Sequence, residues 1–141
     1  MLVIGTGGAS KEIVEVLYQK NMDENFTFYN DLDEIKTNFI TKNFEVISKI
    51  KEVKNFFIAD NRFIVGNGSG KKRKLLSEKF INLGGEMVSV ISPMAVIGHF
   101  DTIINQGACI LTGSILTSNV KISKGVFINK LCSIAHDVKI G

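Results

Sequence analysis

The composition offers little that points to a metal, a disulfide or a membrane. The chain of 141 residues has no tryptophan, one proline, two cysteines and two histidines. Both cysteines, Cys109 and Cys132, fall in an aliphatic repeat, which favours buried thiols over a disulfide or a metal pair. No apolar run approaches the roughly 20 residues of a membrane-spanning helix, and the opening MLVIGTGG lacks the basic start and the cleavage region of a signal peptide. We therefore expect a cytoplasmic protein with no metal site and no membrane partner.

An excess of charge of one sign is also missing. The net charge of +3 comes from 17 basic and 14 acidic residues, and so mild an excess does not argue for a nucleic acid partner. The 45% of apolar residues is enough to form the core of one ordinary domain or of two small ones.

What the sequence does contain is an internal repeat with a period of six residues near its C-terminus. A helix repeats near 3.6 residues and an ordinary strand near 2, so this period predicts a parallel β-helix of hexapeptides, with three hexapeptides in a coil of about 18 residues. We expect Ile104, Ile122 and Ile140 to stack on one another. We also expect Ile110 to stack on Ile128, and Leu116 on Ile134. The aliphatic column is Ile104, Ile110, Leu116, Ile122, Ile128, Ile134 and Ile140, and the column of small or β-branched residues is Ala108, Ser114, Val120, Val126, Cys132 and Val138.

The sequence before the repeat has a different texture, and the change falls close to the single proline, Pro93. A short apolar strand (Leu2–Ile4), a glycine turn and an amphipathic helix ending near Asn21 form the start of a βαβ unit, which implies a parallel sheet. We predict two domains, a Rossmann-like α/β module over residues 1–89 and the hexapeptide β-helix over residues 90–141. Further strands are expected at 26–29, 44–47, 56–59, 63–65 and 87–91, and a helix at 71–82.

Polar groups follow several of the predicted strands of this first module. The turn after the first strand offers backbone N–H groups and a helix N-terminus, which suit a phosphate, and the next strand ends in side chains that accept hydrogen bonds from ribose. The turn reads GxGxxS, which is short of the full dinucleotide fingerprint, so a tight turn without a ligand is the alternative. The basic run 71–74 is interpreted as a solvated helix face rather than a phosphate contact. The predicted nucleotide-site residues are Gly5, Thr6, Gly7, Gly8, Asn30, Asp31, Gly66 and Asn67.

The two histidines are His99 and His136, and His136 is followed directly by Asp137. A neutral imidazole accepts a proton from a hydroxyl or an amine, and a nearby carboxylate orients it and stabilises the imidazolium. Adjacent side chains on a strand point to opposite faces, however, so Asp137 acting on a neighbouring chain or shaping a turn is an open alternative. An idle, exposed histidine is the alternative for His136 and the favoured interpretation for His99.

Taken together, these features resemble the bacterial sugar O- and N-acyltransferases that contain a left-handed β-helix, such as the sialic acid O-acetyltransferases and the acetyltransferases of nucleotide-linked 4-amino sugars. The resemblance extends over essentially the whole chain. It is carried by the glycine-turn module, by Gly66-Asn67-Gly68 before a basic helix, by ISPMAV at 91–96, and by FINKLCSIAHD at 127–137 within the hexapeptides.

The resemblance implies roles for individual residues and partners. His136 matches the catalytic base, Asp137 the acidic residue that assists it, and Asn129 an asparagine near the acceptor sugar. The N-terminal module would hold the sugar nucleotide, acetyl-CoA would be the acyl donor, and three chains would form a homotrimer with acyl-CoA between neighbours. Two departures concern the nucleotide site, because Ala9 replaces a common histidine and Asn30 a frequent aspartate.

Family members continue through further coils beyond the position of Gly141, which leads us to expect a truncated chain. The isolated 141-residue chain should then bind the sugar nucleotide, show little or no transfer and tend to self-associate.

The sequence therefore predicts an acetyltransferase that uses acetyl-CoA to modify an amine or hydroxyl of a free or nucleotide-linked sugar, in the synthesis of bacterial surface glycans. The alternative is a truncated, non-catalytic protein that binds sugar nucleotides or serves in assembly. A dinucleotide oxidoreductase is disfavoured, because a solenoid and not a second nucleotide-binding half follows the glycine turn.

Overall fold

The chain forms two compact units in a computed structural model that describes residues 1–20, 25–32 and 37–141. The first unit contains Met1–Lys11 and Asp23–Met87, and the second contains Glu12–Met22 and Val88–Gly141. The first helix is thus shared between the two units, whereas the predicted domain boundary at residue 89 places the whole helix in the first domain. That boundary stays a prediction. Among the described residues, no helix is both long and apolar enough to cross a membrane.

The first unit is built on a parallel sheet, in which the described residues form five strands in the order β3-β2-β1-β4-β5. The strands are β1 (Leu2–Ile4), β2 (Thr27–Tyr29), β3 (Glu45–Ile47), β4 (Arg62–Val65) and β5 (Glu86–Met87). Strand β1 lies in the middle, between β2 and β4. The chain adds β2 and β3 on one side of β1 and then β4 and β5 on the other side, so the strand order reverses at β1. Parallel α/β sheets bind ligands at the carboxyl ends of the strands at such a reversal.

In the described parts of the chain, the helices between these strands are α1 (Gly8–Gln19), α2 (Phe39–Asn43), α3 (Ile50–Ala59) and α4 (Gly70–Asn82). The predicted helices after the glycine turn and at 71–82 are confirmed as α1 and α4. The predicted end of α1 at Asn21 lies outside the described residues. The predicted Rossmann-like α/β module is therefore the fold of the first unit.

Two predicted strands are wrong. Residues 56–59 belong to α3, where Phe56 and Phe57 pack on the buried core with Val53 at helical spacing while Ile58 is exposed. Residues 87–91 do not form one strand, because β5 ends at Met87 and β6 (Val90–Ile91) pairs with a strand of the repeat. In both cases a run of β-forming residues favours one strand locally, but packing against the rest of the chain produces a different structure.

The second unit contains the β-helix predicted from the six-residue period. Its strands, each of two residues, form three parallel three-stranded sheets in the orders β6-β9-β12, β7-β10-β13 and β8-β11-β14. Every third strand along the chain therefore lies in the same sheet. The strands are β6 (Val90–Ile91), β7 (Val96–Ile97), β8 (Ile103–Ile104), β9 (Cys109–Ile110), β10 (Ile115–Leu116), β11 (Lys121–Ile122), β12 (Phe127–Ile128), β13 (Ser133–Ile134) and β14 (Lys139–Ile140).

The predicted stacking of the aliphatic column is confirmed residue by residue. Ile122 pairs with Ile104 on one side and Ile140 on the other, Ile110 pairs with Ile128, and Leu116 pairs with Ile134. The apolar residues of the second column, including the partly buried Cys132, pack in the same core, whereas Cys109 is buried outside this cluster. The column also extends back to two earlier isoleucines, Ile97 and Ile91, which pair with Leu116 and Ile110. One extra residue between Ile97 and Ile104 hides this first coil from a strict six-residue search.

The corners of the coils carry a second six-residue pattern, in the backbone. Residues with φ between 53° and 75° recur at Asp101, Gly107, Gly113, Asn119, Gly125, Leu131 and Asp137. This left-handed conformation is easy for glycine, tolerated by Asn and Asp, and costly for other residues. The corner column therefore explains the spacing of Gly, Asn and Asp, and it leaves Leu131 as the exception.

Replacing Leu131 by asparagine should stabilise the β-helix. Leu131 has φ 57° and an exposed side chain, and the left-handed conformation costs a typical L-residue roughly 1–2 kcal/mol. We expect Leu131→Asn to raise the free energy of unfolding in urea by about 1 kcal/mol. Leu131→Ala removes the same exposed side chain but keeps the strain, so an equal gain in the alanine variant would contradict this explanation.

Candidate functional site

The glycine turn of the first unit is held rigidly by hydrogen bonds. Gly5, with φ 109°, donates its N–H to the Tyr29 carbonyl at 2.8 Å, and Gly66 donates to the Ile4 carbonyl at 2.8 Å. The buried Ser10 hydroxyl lies 2.8 Å from the Gly5 carbonyl and 3.1 Å from the Gly66 carbonyl. Ser10 thereby links the start of α1 to the ends of β1 and β4.

Gly66 is required by the closeness of this contact. A Cβ atom at Gly66 would lie 2.1 Å from the Ser10 Oγ and 3.0 Å from the Ser10 Cβ. Real side chains do not approach so closely, so any other residue here must displace Ser10 or the start of α1. The role of this glycine is to let the strand end and the helix start approach each other.

A cleft of about 560 Å³ opens beside this turn, entirely within the first unit. It combines polar groups at the strand ends with an apolar side formed partly by α4. Its lining residues are Ile4, Gly5, Thr6, Gly7, Tyr29, Asn30, Asp31, Leu32, Asn38, Gly66, Asn67, Lys72, Leu75 and Leu76. The structure thus brings together all the predicted nucleotide-site residues of this unit except Gly8, which begins α1 and is not among the lining residues.

Asn30 orders the floor of the cleft. Its Nδ2 donates to the Thr6 Oγ1 at 2.7 Å, and its Oδ1 accepts from the Leu32 N–H at 3.1 Å. Asn38 donates to the Thr6 carbonyl at 3.2 Å while its Oδ1 caps the start of α2. Both ends of the buried Asn30 amide are therefore hydrogen-bonded within the protein. This geometry favours a role for Asn30 in positioning the residues of the cleft, in addition to its predicted contact with ribose.

Asp31 is the exposed acceptor of the cleft. Its Oδ2 accepts from the Tyr29 hydroxyl at 3.0 Å and from the Lys79 Nζ at 3.1 Å. Partial burial acts to raise the pKa of Asp31, but the hydrogen bonds from Lys79 and Tyr29 outweigh it and hold the pKa below its ordinary value. Asp31 is thus a carboxylate at neutral pH, and its predicted contact with a ribose hydroxyl stays a prediction.

The interpretation of the basic run 71–74 as a solvated face is wrong for Arg73. This side chain is 2% exposed, and its guanidinium donates to the carbonyl of Val65, the last residue of β4, and to the carbonyl of Asn67. Lys72, one residue earlier, lines the cleft. Arg73 therefore fixes the strand end from inside, and Lys72 supplies positive charge to the cleft.

In the second unit, His136 and Asp137 lie side by side on an exposed corner. Nδ1 of His136 is 2.5 Å from Oδ2 of Asp137. Asp137 is not on a strand, as the alternative assumed, but at a left-handed corner with φ 64°, so the two adjacent side chains turn towards each other. The hydrogen bonds from His136 and then from Asn119 lower the pKa of Asp137 below its ordinary value. An ionised carboxylate only accepts, so Nδ1 of His136 carries the proton, and in a neutral imidazole the lone pair of Nε2 is left available.

Asn129, the other predicted site residue of this unit, has no hydrogen bond with that pair in the part of the chain that the structure describes. Asn129 follows β12 and is exposed, with its Oδ1 accepting from the Lys130 N–H at 2.9 Å. His99 is exposed in the first coil. The role of Asn129 near an acceptor sugar stays a prediction.

Sequence reasoning missed several residues that shape these two sites. Asn38 contacts the glycine turn, Lys79 pairs with Asp31, and Asn119 holds Asp137, whereas Ser10, which also holds the turn, is the serine of the GxGxxS pattern. Of the missed residues, only Asn119 could have been found from the sequence. It lies 18 residues before Asp137, which is the length of one coil in the predicted repeat, so stacking of the coils brings the two residues together.

Residues 1–80 match the family model described as the PglD N-terminal domain. The chain belongs to the PglD N-terminal domain family. This family assignment covers the glycine turn, the cleft and most of α4. No curated protein matches the chain in sequence.

Solved structures extend the likeness of this family member to the β-helix. A mutant of perosamine N-acetyltransferase from Caulobacter crescentus, in complex with CoA and GDP-perosamine, matches with a TM-score of 0.83 and 19% identity over 98% of this chain and 63% of that chain. PerB from Caulobacter crescentus, with the same two ligands, gives 0.82 and 20% over 98% and 63%. The acetyltransferase domain of PglB from Neisseria gonorrhoeae gives 0.81 and 23% over 98% and 65%.

These likenesses establish the fold of the whole chain. The expected Rossmann-like module followed by a left-handed parallel β-helix is confirmed. The chain spans less than two thirds of the length of the structures that it matches.

Proposed function

We propose that this chain is part of a sugar acetyltransferase, which moves an acetyl group from acetyl-CoA to an amine or hydroxyl of a nucleotide-linked sugar. The observation that carries the proposal is the His136–Asp137 pair, with an ionised carboxylate on Nδ1 and a free Nε2 at an exposed corner of the β-helix. Its setting adds support, because the structurally similar enzymes from Caulobacter crescentus were crystallised with CoA and GDP-perosamine.

The mechanism is direct transfer with His136 as general base. Nε2 of His136 takes the proton from the amine or hydroxyl of the acceptor sugar. At the same time the nitrogen or oxygen of that acceptor group attacks the thioester carbonyl of acetyl-CoA. The carbon–sulfur bond then breaks, the acetyl group stays on the sugar, and the CoA thiolate takes up a proton. Asp137 holds the imidazole in the required tautomer and stabilises the imidazolium, and backbone N–H groups stabilise the oxyanion.

The chain's cysteines do not favour a covalent acyl intermediate. A thiol that attacks a thioester has to be accessible and needs a base beside it. Cys109 is fully buried, and Cys132 belongs to the column of residues packed on the core of the β-helix. Direct transfer is therefore the simpler route.

The cleft of the first unit is the proposed site of the nucleotide. The glycine turn that leads into α1 lines the cleft and suits a diphosphate, because the first N–H groups of a helix have no partners within it, and Lys72 adds a positive charge. Asp31, Leu75 and Leu76 line the cleft. In this proposal Asp31 accepts a hydrogen bond from a ribose hydroxyl, and the base packs on the apolar side that the two leucines form. The cytoplasm as location, a homotrimer as assembly and surface glycan synthesis as the process belong to the same proposal.

The cleft should prefer a uridine or thymidine sugar nucleotide to NAD. One βαβ site holds one diphosphate with its nucleoside, whereas NAD requires a second nucleotide-binding half that the described residues do not form. Titration calorimetry of the 141-residue chain with UDP-, dTDP- and GDP-linked amino sugars and with NAD tests this. Tight NAD binding without any response to a sugar nucleotide would overturn the assignment of the cleft.

The transfer itself is tested by incubating the full-length protein that contains this sequence with acetyl-CoA and the same sugar nucleotides. The proposal expects release of the CoA thiol only when both substrates are present. The alternative, a non-catalytic protein that binds sugar nucleotides, expects binding in calorimetry and no thiol release. No observation on the fold favours that alternative.

A further inference from the structure

The corner that carries Asp137 lies directly above another corner with the same backbone conformation. Asn119 precedes Asp137 by 18 residues and has φ 55°, against 64° for Asp137. The Asp137 N–H donates to the Ser118 carbonyl at 3.3 Å, and the Asn119 N–H donates to the Phe100 carbonyl at 2.8 Å. Backbone hydrogen bonds between coils therefore fix the position of Asn119 relative to Asp137.

The side chains at these two corners also meet. Nδ2 of Asn119 donates to Oδ1 of Asp137 at 2.6 Å, while Oδ2 of Asp137 contacts Nδ1 of His136 at 2.5 Å. Each oxygen of the carboxylate thus has its own partner, one on the same coil and one on the coil before. A carboxylate held at both oxygens has little freedom to rotate, and its second oxygen stays directed at the imidazole.

We propose that Asn119 is a positioning residue for the general base, which acts by clamping Asp137 so that Asp137 keeps His136 in the Nδ1–H tautomer with Nε2 free. This inference rests on the proposed function for its consequence in catalysis, although the clamp itself is a property of the described chain. Asn119 touches neither the imidazole nor, in the proposed mechanism, the reacting atoms.

The corner does not need an asparagine side chain for its own sake. Three other corners of the same column are glycine, at Gly107, Gly113 and Gly125. A glycine at position 119 should therefore preserve the left-handed backbone and remove only the amide. Asn119→Gly is thus a variant that separates the clamp from the fold.

The matched control is Asp101→Gly. Asp101 occupies the same corner one coil earlier, with φ 53°, and makes no contact with the His136–Asp137 pair. Both substitutions place glycine at a left-handed corner, so their effects on the backbone and on stability should be alike. Only Asn119→Gly removes a partner of Asp137.

The first measurement is the tautomer of neutral His136, read from two-bond proton–nitrogen NMR spectra of the 141-residue chain. We expect the Nδ1–H tautomer in the unmodified chain and in Asp101→Gly, and a shift towards the Nε2–H tautomer in Asn119→Gly. If the tautomer populations of Asn119→Gly and Asp101→Gly are the same, the inference is overturned, whatever the protein catalyses.

The second measurement is steady-state acetyl transfer by the full-length protein that contains this sequence. A base that is present but poorly oriented loses part of the roughly 10²–10⁴-fold that a positioned base contributes, so Asn119→Gly should lower kcat by about 10-fold and leave both KM values unchanged. A shifted tautomer with an unchanged kcat would refute the catalytic role of the clamp. A shifted tautomer in a protein that never transfers acetyl would leave the clamp in place and refute the proposed function instead.

Discussion

Replacing His136 by alanine is expected to lower acetyl transfer by about 10²–10⁴-fold, the usual contribution of a positioned general base. Sugar nucleotide affinity should stay nearly unchanged, because the proposed nucleotide cleft belongs to the first unit and His136 belongs to the second. Steady-state rates with the full-length protein that contains this sequence measure the first effect, and calorimetry with the sugar nucleotide measures the second.

The control for this experiment is the other histidine. His99 is exposed in the first coil and has no place in the proposed mechanism, so His99→Ala should transfer acetyl at the unmodified rate. Equal losses in the two variants would point to a general effect on the β-helix. Unchanged transfer by His136→Ala would show that the base has been assigned to the wrong residue.

Gly66→Ala is expected to disrupt the nucleotide cleft and to destabilise the first unit. The added methyl group would lie 2.1 Å from the Ser10 Oγ, within a turn that Ser10 holds through the Gly5 and Gly66 carbonyls. Overpacking of this kind costs roughly 1–3 kcal/mol. We expect a loss of that size in the free energy of urea unfolding, together with loss of sugar nucleotide binding in calorimetry.

Two further variants make this prediction specific. Gly68→Ala adds the same methyl group where no atom lies within 4 Å, so stability and binding should be nearly unchanged. Ser10→Ala combined with Gly66→Ala removes the 2.1 Å contact but keeps the 3.0 Å contact with the Ser10 Cβ, so part of the stability should return. If Gly66→Ala and Gly68→Ala behave alike, the close approach at Gly66 is not what the turn depends on.

The β-helix could be predicted almost completely because its information is periodic. Every hexapeptide places an aliphatic residue at the same position, and the pairing of Ile104, Ile122 and Ile140 follows from the period alone. The prediction began one coil late, since the extra residue before Ile104 breaks the period and Ile91 and Ile97 fall out of register.

The α/β unit was predicted less well, because its elements are decided by packing between distant parts of the chain. The run Phe56–Phe57–Ile58–Ala59 has the composition of a strand. In the structure, Val53, Phe56 and Phe57 share the face of a helix that packs on the core, and the apolar Ile58 is left 86% exposed. Local composition could not reveal that exposure.

The sites show the same division between local and distant information. The pairing of His136 with Asp137 could be proposed because the residues are adjacent. Adjacent side chains on a strand point to opposite faces, but the left-handed corner at Asp137 turns these two towards each other. The contacts of Asp31 with Lys79 and of Asn119 with Asp137 join residues 48 and 18 positions apart. The first contact depends on how α4 packs on the sheet, which the sequence near Asp31 does not show. The second depends on how coils stack, so only the period of the repeat could have revealed it.

The fate of the acetyl group tests the central claim most directly. The full-length protein that contains this sequence is incubated with acetyl-CoA labelled with ¹³C in the acetyl group and with nucleotide-linked amino sugars, and both sugar nucleotide and protein are then analysed by mass spectrometry. We predict the label on the sugar nucleotide as a single acetyl group, none on the protein, and almost none on the sugar with His136→Ala. A labelled cysteine would contradict direct transfer, and absence of label from every sugar nucleotide would contradict the assignment as an acetyltransferase.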